Sequence, residues 1–162
     1  MTEKGFRALF EAHFEDIRRY LFFRSGDTEL STDVAQETFL RVWEKKLDLK
    51  PGSDVALLYK MAGNFLTSHY RRERIARRVQ SEMQLELQGD DREYDIHYKE
   101  LRDRYKKALM RLPEKQRVVF MMSRMEQFSY REISERLDIS VKAVEKRMNR
   151  ALNYLRTELE VE

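Results

Sequence analysis

The stretch FSYREISERLDISVKAVEKRMNRALNYLR, Phe128 to Arg156, decides the fold. Ser129-Tyr130-Arg131-Glu132 matches the capping box S-x-x-E, which satisfies two free amides at a helix start. Ile133 and Leu137 then supply a buried stripe. Leu137-Asp138-Ile139-Ser140 is a short turn with Ser140 as the next N-cap. Asp138 stands where such turns often carry Gly, and Asp tolerates a left-handed backbone better than most residues. From Val141 onward, one residue per 100° puts Val141, Val144, Met148, Ala151 and Leu155 on one face. Lys142, Lys146, Asn149 and Asn153 fall opposite, with Arg147 and Arg150 on a flank. One side is core and the other is a row of donors that reach phosphates and base edges. A helix of this kind after a short turn is a helix-turn-helix. The plainer reading is an amphipathic hairpin with a solvated basic face.

The rest of the chain agrees with an all-α class. Its 162 residues are 41% hydrophobic and 38% charged, with five Gly and two Pro, so turn chemistry for a β fold is scarce. The absence of Cys excludes disulfides, thiol nucleophiles and Cys-based zinc sites, and suits a reducing cytoplasm. No apolar run approaches the ~20 residues of a membrane span, and MTEKGFRALF lacks a signal-peptide core. The chain ends soon after the basic helix, so no further C-terminal domain is expected. Charge is unevenly spread. Residues 1–80 hold 15 Lys/Arg and 12 Asp/Glu, residues 81–105 hold 4 and 8, and residues 106–162 hold 13 and 9. Two basic segments flank an acidic one, which suggests two anion-binding surfaces joined by a segment that repels the same ligand.

Helical periodicity places Phe6, Leu9, Phe10, Phe14, Ile17, Tyr20 and Leu21 on one helix, broken at Ser25-Gly26-Asp27. Ser31 or Thr32 caps a second helix to about Lys46. Ser53, after Pro51-Gly52, caps a third from Asp54 to about Arg78. SEMQLELQGDDREYD, Ser81–Asp95, reads as a linker. A helix from about His97 to Arg111 follows, then one with Pro113 in its first turn. The expectation is two small helical domains, 1–80 and 96–162, joined by the acidic linker 81–95, the second domain containing the helix-turn-helix.

Two further surfaces lie in the first domain. On the second helix, Val34, Ala35, Thr38, Phe39 and Val42 face inward. Asp33, Gln36, Glu37, Leu40 and Glu44 face out, with Trp43 at the border. Apolar anchors rimmed by carboxylates suit a basic protein partner rather than DNA. Burial of Leu40 and Trp43 under a neighbouring helix is the alternative. On the third helix, Val55, Leu58, Ala62, Phe65, Leu66 and His69 form the core side. Lys60, Asn64, Thr67, Arg71, Arg74 and Arg78 form a long polar face, and Lys60–Arg78 holds six Lys/Arg and one acidic residue, Glu73. Tyr59 and Tyr70 lie near its edge, where a ring stacks on an unpaired base. The alternative is a solvated basic helix end. Gly63 costs about 1 kcal/mol in a helix relative to Ala, so a close contact there is expected. His13 and His69 lack convincing metal-ligand partners. No P-loop, Ser-His-Asp set or apolar carboxylate pair is present, so neither a cofactor nor an enzyme is expected.

Taken in this order, the three surfaces resemble a bacterial RNA polymerase sigma factor of the small extracytoplasmic-function (ECF) group of the sigma-70 family. DVAQETFLRVWEK (Asp33–Lys45) is similar to that family's polymerase-binding helix. MAGNFLTSHYRRERIARR (Met61–Arg78) is similar to its minus-10-reading helix. RLPEKQRVVFMM with the opening stretch is similar to its minus-35-reading domain. The resemblance implies that Asp33, Gln36, Glu37, Leu40 and Trp43 dock on a basic coiled coil of core RNA polymerase. It implies that Lys60, Asn64, Thr67, Arg71, Arg72, Arg74 and Arg78 handle minus-10 promoter DNA. The loop Leu49–Ser53 with Asp54 matches where ECF members capture a flipped non-template base. Lys142, Ala143, Lys146, Arg147, Asn149 and Arg150 would meet the minus-35 groove, with Ala143 where the family often has Thr. The linker would thread toward the polymerase's nucleic-acid channels. An anti-sigma factor is a possible further partner, and the setting implied is cytoplasmic, without membrane insertion. Rival readings are a conventional dimeric helix-turn-helix regulator, a helical adaptor that occupies a basic protein, and a helical hydrolase.

Overall fold

A computed structural model describes residues 1–73 and 96–159; the linker, Arg74 and Arg78 lie outside the described residues. Among the described residues the chain is all helical, with seven helices and no strand. They are α1 (Glu3–Ser25), α2 (Thr28–Glu44), α3 (Val55–Glu73), α4 (Ile96–Arg111), α5 (Glu114–Arg124), α6 (Tyr130–Leu137) and α7 (Val141–Leu159).

Local chemistry sets the helix ends. α1 stops where Gly26 turns left-handed (φ 70°) and its N–H donates to the Phe22 carbonyl. Only Gly26 and Asp27 separate α1 from α2, so the cap falls on Asp27, whose carboxylate accepts the Leu30 N–H at 3.0 Å. That corrects the expected cap at Ser31 or Thr32. Ser31 is instead buried, its Oγ donating to the Asp27 carbonyl at 2.6 Å. At the start of α3 the Asp54 carbonyl, not Ser53, receives the Leu58 N–H. Pro113 sits just ahead of α5, its carbonyl accepting from Gln116 and Arg117. The capping box at Ser129 has both arms, and Ser140 Oγ accepts the Ala143 N–H at 3.0 Å. Between them Asp138 adopts the left-handed conformation, φ 54°.

The first half packs α1 against α2 and α3. Leu9, Ile17 and Leu21 meet Val34, Phe39 and Val42 of α2, and Leu58, Ala62 and Leu66 of α3. The second half packs α7 against α4, α5 and α6, burying Val119, Met121, Met122, Ile133, Val144 and Met148. Val141, expected in this stripe, is 40% exposed; burial starts one turn later, at Val144.

The halves meet where α1 touches α5 and α3 touches α6. Arg117 of α5 is buried in this seam. Its guanidinium donates to the carbonyls of Phe23 (2.8 Å), Arg24 (2.9 Å), Leu112 (3.1 Å) and Met110 (3.4 Å). These carbonyls stand at the C-terminal ends of α1 and α4, where helix dipoles are negative and acceptors lack helical partners. Arg24 pairs with Glu114, and Arg19 with Glu126 at 3.2 Å. Gly63 has the close contact expected of it: a Cβ there would lie 2.7 Å from Arg24 Nη1 and 3.2 Å from the Tyr20 hydroxyl.

Candidate polymerase and nucleic-acid interfaces

The inward set of α2 is buried as its periodicity requires: Val34, Ala35, Thr38, Phe39 and Val42 are all inaccessible. The opposite face is open. Asp33 and Gln36 are exposed and Glu37 is half-buried. Leu40 is 54% and Trp43 43% exposed, which rules out their burial under a neighbouring helix. The Trp43 ring leans on Phe6 of α1, centroids 5.1 Å apart, and Phe6 continues to Phe10, itself 37% exposed. The apolar patch therefore extends onto α1. The helical periodicity of Phe6 and Phe10 fits core and patch equally well.

On α3, Lys60, Asn64, Arg71 and Arg72 are exposed. Thr67 is half-buried and its hydroxyl donates to the Gly63 carbonyl at 2.9 Å. Tyr59 departs from the expected edge position: it is 2% exposed, its ring edge-on to Tyr20 at 4.9 Å. It is closed off by the seam with α6, and burial raises its hydroxyl pKa. Tyr70 is half-buried. Phe65 is only partly buried, covered by the Arg41 guanidinium at 5.7 Å. His69, also half-buried, approaches Glu73, one turn along, at 3.5 Å.

The loop between α2 and α3 is tightly built. Asp54 Oδ2 accepts the Lys50 N–H at 2.7 Å, and the Asp54 N–H returns to the Lys50 carbonyl at 3.2 Å. Leu49 is buried, while Lys50 to Ser53 are exposed. His13 Nε2 accepts the Gly52 N–H at 3.1 Å, a contact across 39 positions that sequence spacing does not signal.

On α7, Lys142, Lys146, Asn149 and Arg150 are exposed, and Ala143 and Arg147 half-buried. The polar row is thus displayed on one side of the helix while Val144, Met148, Ala151 and Leu155 anchor the other. Glu132, the capping-box carboxylate, is held below its ordinary pKa mainly by the Ser129 backbone N–H, so the cap stays charged and intact at neutral pH. Arg147 and Arg150 border an open cleft shared with Tyr20, Arg24 and Glu114. Lys60 borders a second cleft shared with Arg136 and Asp138. The α3 and α7 basic groups therefore both flank the seam. Among the described residues no three His, Asp or Glu side chains converge as a metal site.

This geometry agrees with what the chain is similar to. The sigma-70 region 2 family model matches residues 9–75, which span α1 to α3. The sigma-70 region 4 model matches residues 102–155, from α4 into α7. The chain belongs to the sigma-70 family, in its ECF group. It is 29% identical over 151 residues to the ECF RNA polymerase sigma factor SigE of Mycolicibacterium smegmatis, covering 91% of this chain and 59% of that relative. It is 24% identical over 147 residues to the RNA polymerase sigma factor YlaC of Bacillus subtilis, covering 88% of this chain and 85% of the relative. Two solved structures share the fold. Sigma factor RpoE of Bartonella quintana, in complex with the anti-sigma factor NepR, has a TM-score of 0.64 and 21% identity, over 98% of this chain and 99% of that one. CnrH, in complex with the cytosolic domain of CnrY, has a TM-score of 0.65 and 23% identity, over 98% and 90%.

Proposed function

We propose that this chain binds core RNA polymerase and directs promoter recognition, melting and initiation as an ECF-type sigma factor, with RNA synthesis left to the polymerase. The observation that carries this reading is the order of three surfaces along one chain. An apolar patch rimmed by acids on α2 is followed by a basic face on α3, and then by a donor row on the second helix of a helix-turn-helix. A conventional dimeric regulator gives the first two no role.

In this reading Asp33, Gln36, Glu37, Leu40 and Trp43 dock on a basic polymerase surface. Lys60, Asn64, Thr67, Arg71 and Arg72, continued by Arg74 and Arg78, engage minus-10 DNA, and the Leu49–Asp54 loop receives a flipped non-template base. Lys142, Ala143, Lys146, Arg147, Asn149 and Arg150 meet the minus-35 groove. The division into 1–80, 81–95 and 96–162 follows these roles. Each DNA surface neutralises few phosphates, so the free chain binds duplex weakly. Held together on polymerase, the second contact becomes intramolecular. Base capture then offsets an unstacking cost of a few kcal/mol. Such a partner places the chain in the cytoplasm. An anti-sigma protein is proposed as a further partner, by likeness to the two structural neighbours, each recorded in a complex of that kind or with a partner's cytosolic domain.

Run-off transcription tests this. Core polymerase of the host, given this chain and sheared host DNA, should start RNA at a defined set of sites that core alone ignores. Core-bound chain that yields no new start sites would reject the reading.

A further inference from the structure

His13 does not behave as a filler of the core. It stands in the α1 row with Leu9, Ile17 and Leu21 and is 7% exposed, yet a ring nitrogen is turned to the α2–α3 loop. Nε2 accepts the Gly52 N–H, so the ring proton is on Nδ1. That Nδ1 is buried and has no partner among the described residues. A Leu would fill the same space without an orphaned polar atom, so the nitrogen facing Gly52 is what distinguishes His here. Gly52 itself has φ +86°, with nothing within 4 Å of where a Cβ would stand. The glycine is there for its backbone conformation, not for space.

We propose that His13 is a positioning residue: by holding the Gly52 amide, it fixes the exposed Lys50–Ser53 tip in one shape that receives an unpaired nucleobase. This rests on the base-capture role proposed above. The loop is pinned at three points, by buried Leu49, by the Lys50–Asp54 bridge, and by His13. The bridge holds the tip at its edge, Lys50, and His13 holds it in the middle, at Gly52. A preorganised tip discriminates bases better than one that must be ordered on contact.

The test uses the chain bound to core polymerase and fork-junction DNA bearing each of the four bases at the first unpaired non-template position. His13→Leu should lower the ratio of best to worst base affinity by about fivefold, the factor of one hydrogen bond. His13→Gln, whose amide oxygen reaches the Nε2 position, should keep the ratio within about twofold of the parent. His13→Asn, which reaches only the Nδ1 position, should behave like His13→Leu. All should bind core polymerase as the parent does. An unchanged ratio in His13→Leu, or equal losses in Gln and Asn, overturns the role of His13. In the free chain, the Gly52 amide should exchange slowly in the parent and His13→Gln and fast in His13→Leu and His13→Asn; equal exchange overturns the pin itself. A parent chain that never binds core polymerase rejects the proposed function and this role with it.

Discussion

Arg117 has given up nearly all its water and receives four carbonyls in exchange, two from the end of α1 and two from the end of α4. Removing the guanidinium orphans acceptors at both helix ends. Arg117→Met is therefore expected to lower unfolding free energy by about 3 kcal/mol, read as a lower urea midpoint. An unchanged midpoint would contradict this account of the seam. His13 gives a pH-dependent term. Burial depresses its pKa below 6.5, with Asp16 opposing and Arg136 reinforcing the shift. The folded state then binds fewer protons than the unfolded, so its contribution is full above pH 6.5 and is lost as pH falls toward the depressed value. Glu126, raised by burial, works with the opposite sign above pH 4.5, so the parent's slope mixes both. The difference between parent and His13→Gln isolates His13: the variant should lose less stability between pH 6.5 and 5. Parallel curves would contradict it. Neither residue's role was legible in the sequence, though each left a trace. Arg117 falls in step with Val118, Met121 and Met122, and His13 with Leu9 and Ile17, so both occupy core positions. Arg117's partners on α1 are 93 and 94 residues away and His13's partner is 39 away, and periodicity carries no information at that range.

At the scale of elements the reading was mostly legible, because helix ends are settled by neighbours in sequence. The capping box, the Asp138 turn, the Ser140 cap and the buried faces of α2 and α7 all follow from residues three or four apart. The misplaced α2 cap shows the limit: Asp27, Ser31 and Thr32 all cap well, and the shortness of the connection decides among them. Tyr59 shows another, since it looked like an edge residue until α6 covered it. Ser129→Ala should cost about 1 kcal/mol by opening the capping box, measured as a fall in melting temperature. Asp138→Gly should stabilise by up to about 1 kcal/mol, since glycine meets φ 54° without strain. Destabilisation by that change would mean the Asp side chain matters more than its backbone. On α7, Lys146→Ala should weaken promoter binding by the polymerase complex across all sequences and reduce the salt slope by about 1. Loss of polymerase binding instead would mean the surfaces are misassigned.

For the whole molecule, the class and the order of the surfaces were legible, while the mutual placement of the halves was not. Arg19–Glu126 and Arg24–Glu114 join residues 107 and 90 positions apart, and nothing local forecasts such pairs. That placement puts basic groups of α3 and α7 beside one seam, while the Leu40–Trp43 face of α2 stays open. The surface assigned to polymerase is thus accessible in the arrangement described, and it is the surface on which the rest of the account depends. The most direct measurement is co-elution of the purified chain with core RNA polymerase on a sizing column, beside Glu37→Lys. The account expects the parent to co-elute and the folded variant, checked by circular dichroism, to run alone. A folded variant that co-elutes like the parent would contradict the α2 docking face. A parent that fails to bind its host's core enzyme, and instead runs as a dimer that binds DNA unaided, would contradict the account as a whole.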